Sequence, residues 1–277
     1  MRGDFMKNFK FFAAGAVALL LAACGQSGPS QGTVRLATTT SVRDSGLLDE
    51  LLKAYRENSK YKLQDIAVGS GQAMQLGRNG EADLLLVHSP ADEKQFVDDG
   101  FGLARTTFMH NDFIIVGPAA DPAGVKSARK AAEAFAKIAA GGLFVSRADK
   151  SGTHKKELML WQAADAKPAP DRYLETGQGM AAVLSVADEK KGYTLTDRST
   201  YLSMKKNVSL VILLEGDEGL INRYSLILVN PARFTTVNSE GAKDFFNFVL
   251  SAPAQRIIEG YGKEKYGQQL FFYDYRI

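Results

Sequence analysis

Residues 33–52 read TVRLATTTSVRDSGLLDELL and combine a strand-like run, a cluster of hydroxyls and an amphipathic segment. The run 33–37 is typical of a β-strand. Leucines and a tyrosine then recur at helical spacing, which predicts an amphipathic helix over 43–58. One hydroxyl is enough to cap such a helix, yet three threonines and a serine stand in a row at 38–41. The surplus indicates that this strand-to-helix junction has a second role.

The rest of the chain continues this alternation. We predict strands at 63–68, 83–87, 113–116, 143–145, 208–214 and 224–229, and helices through Met74 and Leu76 and at 126–140, 153–164, 179–190 and 242–250. Such alternation is typical of α/β layers with mainly parallel sheets. Since no long linker interrupts the chain, we expect two lobes joined by strands that cross near 111–117 and 224–230.

The first residues have the pattern of a secretory signal. Three basic residues precede an apolar run that ends in LAAC at Cys24. A basic start, a short apolar stretch and small residues before a cut site define such a signal, and the run is short for a membrane span. The LAAC sequence also resembles the lipobox of bacterial lipoproteins; an ordinary signal peptide with an incidental cysteine is the alternative. We expect a signal peptide at 1–23, lipidation at Cys24 and a flexible tether at 24–32.

Charge and cysteine content narrow the class of protein. The 277-residue chain has a formal charge of +3, and residues 1–23 hold three of its basic residues and one acidic residue, so the remainder carries +1. A nucleic-acid binder would carry a concentrated basic face, and none is expected here. Cys24 is the sole cysteine, so no internal disulfide can form. The remaining chain is long enough for one large core or two small ones.

Three further stretches resemble the first junction. They are VGSGQA at 68–73, VSRADKSGT at 145–153 and ETGQGM at 175–180. The first N–H groups of a helix lack partners and carry the positive end of its dipole, and small residues let a ligand approach the backbone. Such a junction suits an anion. A simple cap is the alternative for each motif, and Ser41 with Asp44 fits a capping box.

The residue types indicate which anion would bind if the junctions converge. A fully deprotonated tetrahedral oxyanion only accepts hydrogen bonds, whereas hydrogen phosphate also donates one and favours a site with a carboxylate. The junctions offer mainly hydroxyl and amide donors, with Asp44 and Asp149 as nearby carboxylates. Arg147 either adds a charge-assisted bond or is a surface arginine. Arg198 either does the same or pairs with Asp197 or another carboxylate.

Seven motifs, in order, resemble the tungstate-binding components of bacterial ABC transporters. They are TTTS, VGSGQAM, GEADLLLVHSP, NDFIIVGP, SRADKSGTHKKE with a following LW, TGQGM and YTLTDRSTYL. The resemblance covers about residues 33–231. It implies a type II periplasmic-binding-protein fold, in which two α/β lobes joined by a hinge close over an oxyanion. The lobes would comprise 33–113 plus 227–277, and 114–226.

The resemblance also implies a ligand site and partners. One lobe would offer Thr40, Ser41 and Ser70, and the other Ser146, Arg147, Ser151, Gly152 and Thr153, with Thr39 as a weaker candidate. The implied role is capture of tungstate without cofactor or metal cation, with molybdate as the close alternative. The expected partners are an ABC permease and its ATPase, and no nucleic acid. We expect a monomer on the extracytoplasmic or periplasmic side, anchored to the membrane through Cys24.

Two segments depart from the pattern expected for this family. Ala148, Asp149 and Lys150 stand where a Gly-Asp pair is expected, and Lys150 adds a cation. A small residue is expected near NRYS at 222–225. Both departures concern ligand selectivity rather than fold.

Two other classes of function stay open. A serine hydrolase would need a base, and His154, close to Ser151, is the best placed of the three histidines. However, the sequence has no G-x-S-x-G elbow and no HEXXH or other metal-ligand spacing, and VGSGQ lacks the Lys-Ser/Thr of a P-loop. A sensor that signals to a membrane receptor would use the same anion site. We therefore predict a binding protein, not an enzyme.

Overall fold

The computed structural model describes residues 32–275. The predicted signal peptide, Cys24 and residues 24–31 of the tether lie outside the described residues. The strands are β1 (Thr33–Thr39), β2 (Lys62–Val68), β3 (Leu84–Val87), β4 (Gly102–Gly117), β5 (Phe144–Ser146), β6 (Tyr173–Glu175), β7 (Thr194–Asp197), β8 (Val211–Leu214), β9 (Ile221–Val229) and β10 (Phe272–Tyr273). The helices are α1 (Thr40–Ser45), α2 (Leu47–Asn58), α3 (Ser70–Arg78), α4 (Pro90–Asp98), α5 (Ala131–Gly141), α6 (Gly152–Ala163), α7 (Met180–Lys190), α8 (Arg198–Met204), α9 (Ser239–Val249), α10 (Ala252–Gly260) and α11 (Lys263–Tyr266). None of the helices within 32–275 is long and apolar enough to span a membrane.

The sheets confirm the predicted α/β class. The main sheet has the order β10-β4-β9-β3-β1-β2, and β7 and β8 also pair with β4. β1 pairs in parallel with β2 and β3, and β5 pairs in parallel with β6, as predicted. Helices provide the crossover connections that parallel neighbours need. The pairings that involve β4 or β9 are instead antiparallel, so parallel pairing between the named strands is found within β1–β3 and between β5 and β6.

Strand β4 pairs with two groups of strands, one along each part of its length. Its residues 102–112 pair with β9, and residues 113–117 pair with β7 and β8. β9 pairs with the first part of β4 over its whole length, with Ile221 opposite Asp112. The division into lobes at 113/114 and 226/227 stays a proposal, and this register favours a second crossing nearer Ile221.

Gly46 divides the helix that the sequence predicts at 43–58. Its φ of 85° ends α1 after Ser45 and lets α2 start at Leu47. Glycine adopts this left-handed conformation without the steric cost of a Cβ, and a Cβ here would lie 2.6 Å from Tyr261 Oη. The predicted single helix is therefore wrong. The chain turns helical at Thr40, inside the run of hydroxyls, and this places that run in the first turn of α1.

The apolar side chains form separate packed clusters. One joins leucines of β1, β3 and α2 to Tyr224 and Phe245. Another surrounds Trp161, whose ring lies 4.4 Å from Phe135 and 5.1 Å from Phe144, centroid to centroid. Burial of this kind fixes each helix against its strands. The strand-to-helix junctions are left at the carboxyl ends of the strands, where open α/β sheets bind ligands.

Candidate functional site

Three of the four predicted junctions meet at one small cavity. Thr40 and Ser41 begin α1, Ser70 begins α3, and Ser151 is the N-cap of α6. The cavity leaves about 20 Å³ for the centre of a water-sized guest, room for roughly one or two such guests. Its lining consists of Thr39, Thr40, Ser41, Val68, Gly69, Ser70, His88, Phe113, Arg147, Ser151, Gly152, Thr153, Asp197 and Asn222. This size suits a small ion rather than a nucleotide.

The four hydroxyls at 38–41 divide into structural and cavity-facing side chains. Thr38 Oγ1 donates to the Leu86 carbonyl at 3.1 Å and ties β1 to β3. Ser41 Oγ lies 3.1 Å from Thr39 Oγ1 and 3.2 Å from His88 Nε2. Ser41 is the second residue of α1, not its N-cap, so the capping box proposed from the sequence does not form. Thr39 is the N-cap but makes no side-chain capping bond, which leaves the first N–H groups of α1 without a side-chain cap.

Ser70 is buried, and its hydroxyl has no hydrogen-bond partner among the described residues. The residue is 3% exposed, and Oγ makes no hydrogen bond to any described residue. The N-cap of α3 is Gly69, which has no side chain to cap the helix. An unsatisfied buried polar group costs about 1–3 kcal/mol, and native proteins rarely keep one without a reason. This hydroxyl therefore indicates a position for the acceptor atom of a guest.

Ser70→Ala should separate binding from stability. We expect oxyanion affinity to fall about fivefold, because a neutral hydrogen bond contributes about 1 kcal/mol. The unliganded protein should keep its free energy of unfolding or gain a little, since an orphan group is removed. Calorimetry and denaturant unfolding without ligand measure the two effects. Ser185→Ala, on the exposed side of α7, is the matched control; lower stability of the unliganded Ser70 variant would contradict the assignment.

Arg147 is the cation in the described lining of the cavity. Its side chain is 15% exposed, and Nε and Nη2 donate to Asp149 Oδ2 at 3.0 and 2.5 Å. Nη1 makes no hydrogen bond to a described residue. Asp149 Oδ1 also accepts from the Ser151 N–H at 3.1 Å. Burial raises the pKa of Asp149, but these hydrogen bonds and the Arg147 charge outweigh it and hold the pKa below its usual value.

The carboxylate in the lining is one that the sequence reading did not select. Asp44 and Asp149 do not line the cavity, whereas Asp197 does. Asp197 is the N-cap of α8. Its oxygens accept from Ser199 Oγ at 2.5 Å, and from the Thr200 N–H and Oγ1 at 2.8 and 2.7 Å. Three donors fill most of the roughly four acceptor positions of a carboxylate, so the cavity offers mainly donors.

Ser146 does not reach the cavity, unlike the other predicted ligand residues. It is fully buried, and its Oγ donates to Glu157 Oε2 at 2.6 Å and accepts from the Ala148 N–H at 3.1 Å. Glu157 also accepts from Tyr173 Oη and Trp161 Nε1. Burial raises the pKa of Glu157, and these three donors oppose the rise. The Ser146 hydroxyl thus anchors the loop that carries Arg147, and a ligand contact through it is not supported.

The loop between β5 and α6 contains the departure noted in the sequence. Ala148 and Lys150 both have positive φ, 48° and 61°. L-residues carry a steric cost of about 1–2 kcal/mol in this region. The position of Ala148, where a glycine is expected from the family, therefore does require a left-handed backbone. The chain accepts local strain at the loop that positions Arg147.

Ala148→Gly should stabilise the protein by about 0.5–1 kcal/mol. Relief of the left-handed strain exceeds the entropy that glycine adds to the unfolded chain. Denaturant unfolding without ligand measures the change. The matched control is Ala136→Gly in the middle of α5, where the same substitution should destabilise by about 0.5–1 kcal/mol. Equal destabilisation by both substitutions would contradict the presence of backbone strain at Ala148.

Two predicted features lie outside the cavity lining. Arg198 pairs with Asp112 at 2.5 Å and Glu215 at 2.7 Å, so the alternative of a carboxylate partner is correct. The fourth junction, at Gly179 and Met180, lines a neighbouring pocket instead. Of the four motifs, three converge.

His88 is the main lining residue that sequence reasoning did not select. It follows β3 directly and is 9% exposed. Burial lowers its pKa to about 4, so the ring is neutral at pH 7. A Cβ built on Gly152 would lie 2.1 Å from His88 Cε1, so the ring packs against the start of α6. Its place at the carboxyl end of a buried strand was the available signal.

His154 lies at the start of α6, next to the loop that carries Arg147. His154 Nδ1 accepts from the backbone N–H of Lys150 at 3.1 Å, and the backbone N–H of His154 donates to Ser151 Oγ at 3.3 Å. These bonds give it a role in holding the loop. Among residues 32–275, no group of three or more His, Cys, Asp or Glu side chains is arranged to hold a metal ion.

Comparison with known proteins connects this geometry to a family. A family model described as a PBP superfamily domain matches residues 25–253. The tungstate-binding protein TupA of Peptoclostridium acidaminophilum is 49% identical over 245 residues, which cover 87% of this chain and 86% of the relative. The solved structure of the tungstate-binding protein TupA from Desulfovibrio alaskensis G20 has 47% identity and a TM-score of 0.79, covering 88% of this chain and 100% of that one. The structure of the tungstate ABC transporter from Geobacter sulfurreducens has 45% identity and a TM-score of 0.73, with 83% and 98% covered. This chain therefore belongs to the PBP superfamily and, within it, to the family of TupA-type tungstate-binding proteins.

Proposed function

We propose that this protein captures tungstate on the extracytoplasmic side of the membrane for an ABC importer. The observation that carries the proposal is the buried Ser70 hydroxyl, which has no partner within residues 32–275 and lies in a cavity that the starts of α1 and α6 also line. Helix starts supply N–H donors at the positive end of the dipole, and Arg147 adds one cation. Relatives named for tungstate binding support this choice of ligand.

The chemistry of the lining favours an anion that carries no proton. Hydroxyls and backbone N–H groups donate to the guest, and most acceptor positions of Asp197 are already filled. Hydrogen phosphate would need a free acceptor for its own hydrogen. Tungstate and molybdate share charge and shape, so the lining does not distinguish them. Molybdate therefore stays the alternative, and the choice of tungstate rests on the relatives.

Capture would use two lobes that close over the ligand. Thr40, Ser41 and Ser70 lie on the first proposed lobe, and Arg147 and residues 151–153 on the second. A ligand that contacts both favours the closed form in proportion to its extra contacts there. Lys155 of α6 donates to Asp92 of α4 at 2.8 Å, which links the same two parts of the chain beside the cavity.

The proposed partners follow from this role. The closed form would dock on an ABC permease served by an ATPase, with the protein acting as a monomer tethered through lipidated Cys24. No cofactor or nucleic acid takes part in capture. A sensing role at a membrane receptor would use the same site; genes for a permease and an ATPase beside the gene for this protein would favour transport.

A thermal-shift panel with tungstate, molybdate, sulfate and phosphate tests the proposal. A ligand that binds only the folded state stabilises it by about 2.7 kcal/mol at a concentration 100 times its Kd. We expect Tm to rise with tungstate and molybdate at concentrations where phosphate has no effect. A response to phosphate alone would overturn the proposal.

One observation favours a serine hydrolase as a second candidate. Ser41 Oγ lies 3.2 Å from His88 Nε2, within the reach of a nucleophile and its base. The pKa of about 4 makes His88 a weak base at neutral pH, and the small cavity leaves little room for an ester. Labelling of Ser41 by a serine-directed covalent probe would favour the hydrolase, whereas binding without labelling favours capture.

A further inference from the structure

His88 forms the wall between the small cavity and an outer groove along α4 and α6. It lines both spaces. Its ring lies 4.9 Å from the ring of Tyr224, centroid to centroid, and its Cε1 edge faces the Cα of Gly152. One neutral side chain therefore contacts the start of α1 through Ser41 and the start of α6 through Gly152.

The hydrogen bonds around Ser41 have a direction. Asn222 Nδ2 donates to Asn111 Oδ1 at 2.8 Å and to Tyr224 Oη at 2.9 Å. Because Tyr224 Oη accepts this bond, its own hydrogen can point to Ser41 Oγ, 3.5 Å away. Thr39 Oγ1 and His88 Nε2 are the other two neighbours of Ser41 Oγ, at 3.1 and 3.2 Å. A serine hydroxyl has two acceptor lone pairs and one hydrogen. Donors from Tyr224 and His88 would fill the lone pairs. The hydrogen of Ser41 is then left for the cavity side, where Thr39 Oγ1 can accept it until a guest takes its place.

We propose that His88 is a positioning residue in its Nε2–H tautomer, which donates to Ser41 Oγ and turns the Ser41 hydrogen into the cavity. This inference rests on the proposed capture of an oxyanion. The ring supplies direction rather than charge, because burial keeps it neutral at pH 7. Its consequence is selectivity. Ser41 becomes a donor only, and this favours tungstate over an anion that must donate a hydrogen bond itself.

A double-mutant cycle on tungstate affinity tests whether His88 acts through Ser41. Ser41→Ala and His88→Leu should each weaken binding about fivefold, the loss expected for one neutral hydrogen bond. If both remove the same oriented donor, the double variant should also lose about fivefold. His88→Gln, whose amide can donate from a similar position, should recover most of the affinity. His110→Gln makes the same change at a histidine that pairs with Asp274 outside the cavity, and should bind like the unmodified protein.

The outcomes separate this inference from the proposed function. If the unmodified protein binds no tungstate, the proposed function fails. If it binds tungstate but the double variant loses about 25-fold, the product of the single losses, His88 acts independently of Ser41 and the inference is wrong. Nitrogen-15 NMR of the histidine rings checks the tautomer in the unmodified protein without relying on any variant. A proton on Nε2 is expected, and a neutral ring with its proton on Nδ1 would overturn the inference.

Discussion

Replacing Arg147 by alanine is expected to weaken tungstate binding roughly 10- to 150-fold. A charge-assisted hydrogen bond is worth about 1.5–3 kcal/mol, and 1.4 kcal/mol corresponds to a factor of ten. Arg147 is the cation among the described lining residues. Its Nε and Nη2 donate to Asp149, and its Nη1 makes no hydrogen bond to a described residue and can donate to a guest. Isothermal titration calorimetry measures the loss directly.

Two companion variants show whether the loss comes from the guest contact. Arg129→Ala removes an exposed arginine before α5 and should leave affinity unchanged. Arg147→Lys keeps the charge but lacks the planar fork of the guanidinium, so it should recover part of the affinity. Binding of the alanine variant at the strength of the unmodified protein would remove Arg147 from the site.

Gly152→Ala is expected to reduce both affinity and stability. A Cβ would lie 2.1 Å from His88 Cε1 and 3.0 Å from both ring nitrogens, whereas carbon atoms in contact normally stay about 3.5–4.0 Å apart. The ring must move, and overpacking of this kind costs about 1–3 kcal/mol. Since His88 and residues 151–153 line the cavity, we expect affinity to fall by at least about tenfold as well.

The control for this variant is another glycine at a helix start. Gly179 precedes α7, and a Cβ built there meets no atom of the described residues within 4 Å. Gly179→Ala should therefore leave the free energy of unfolding and the tungstate affinity close to those of the unmodified protein. Denaturant unfolding and calorimetry on both variants make the comparison. Equal behaviour of the two glycines would mean that the His88 ring yields to the added methyl group at little cost.

The elements that sequence patterns predicted well have clear local signals at their ends. Strand β3 and helices α6 and α7 have nearly the expected bounds, because β3 is a continuous apolar run and Ser151 and Gly179 mark the starts of the two helices. Helix α4 and the first part of β4 were missed. The segment PADEKQFVD is mostly polar, and residues 102–112 mix polar with apolar side chains. Both elements are stabilised by tertiary packing, which overrides local preference.

The candidate site was predictable by residue type but not by orientation. The sequence marked the junctions, since Ser, Thr and Gly cluster where strands end. Which hydroxyl faces the cavity depends on where α1 begins. The left-handed backbone at Gly46 makes α1 a separate helix from α2. Ser146 turns toward Glu157 because that buried carboxylate requires donors. Such long-range partners leave no trace in motif spacing.

The role of His88 also could not be predicted from the sequence alone. One histidine after a buried strand resembles an ordinary core residue in a sequence. Its contacts with Ser41 and Gly152 join positions that lie 47 and 64 places away in the chain. Only the fold brings these residues together. The resemblance to tungstate-binding components predicted the family correctly, while the details of the lining depend on contacts between residues far apart in the chain.

The most direct test is a crystal structure of the protein grown with tungstate, with anomalous data collected above a tungsten absorption edge. Tungsten scatters strongly enough to locate itself without prior assumption. One dominant anomalous peak is expected in the small cavity, with oxygens within hydrogen-bonding distance of Ser70 Oγ and Arg147 and close to the starts of α1 and α6. A dominant peak elsewhere, with the cavity free of tungsten, would contradict the claim that these separate stretches bind one anion.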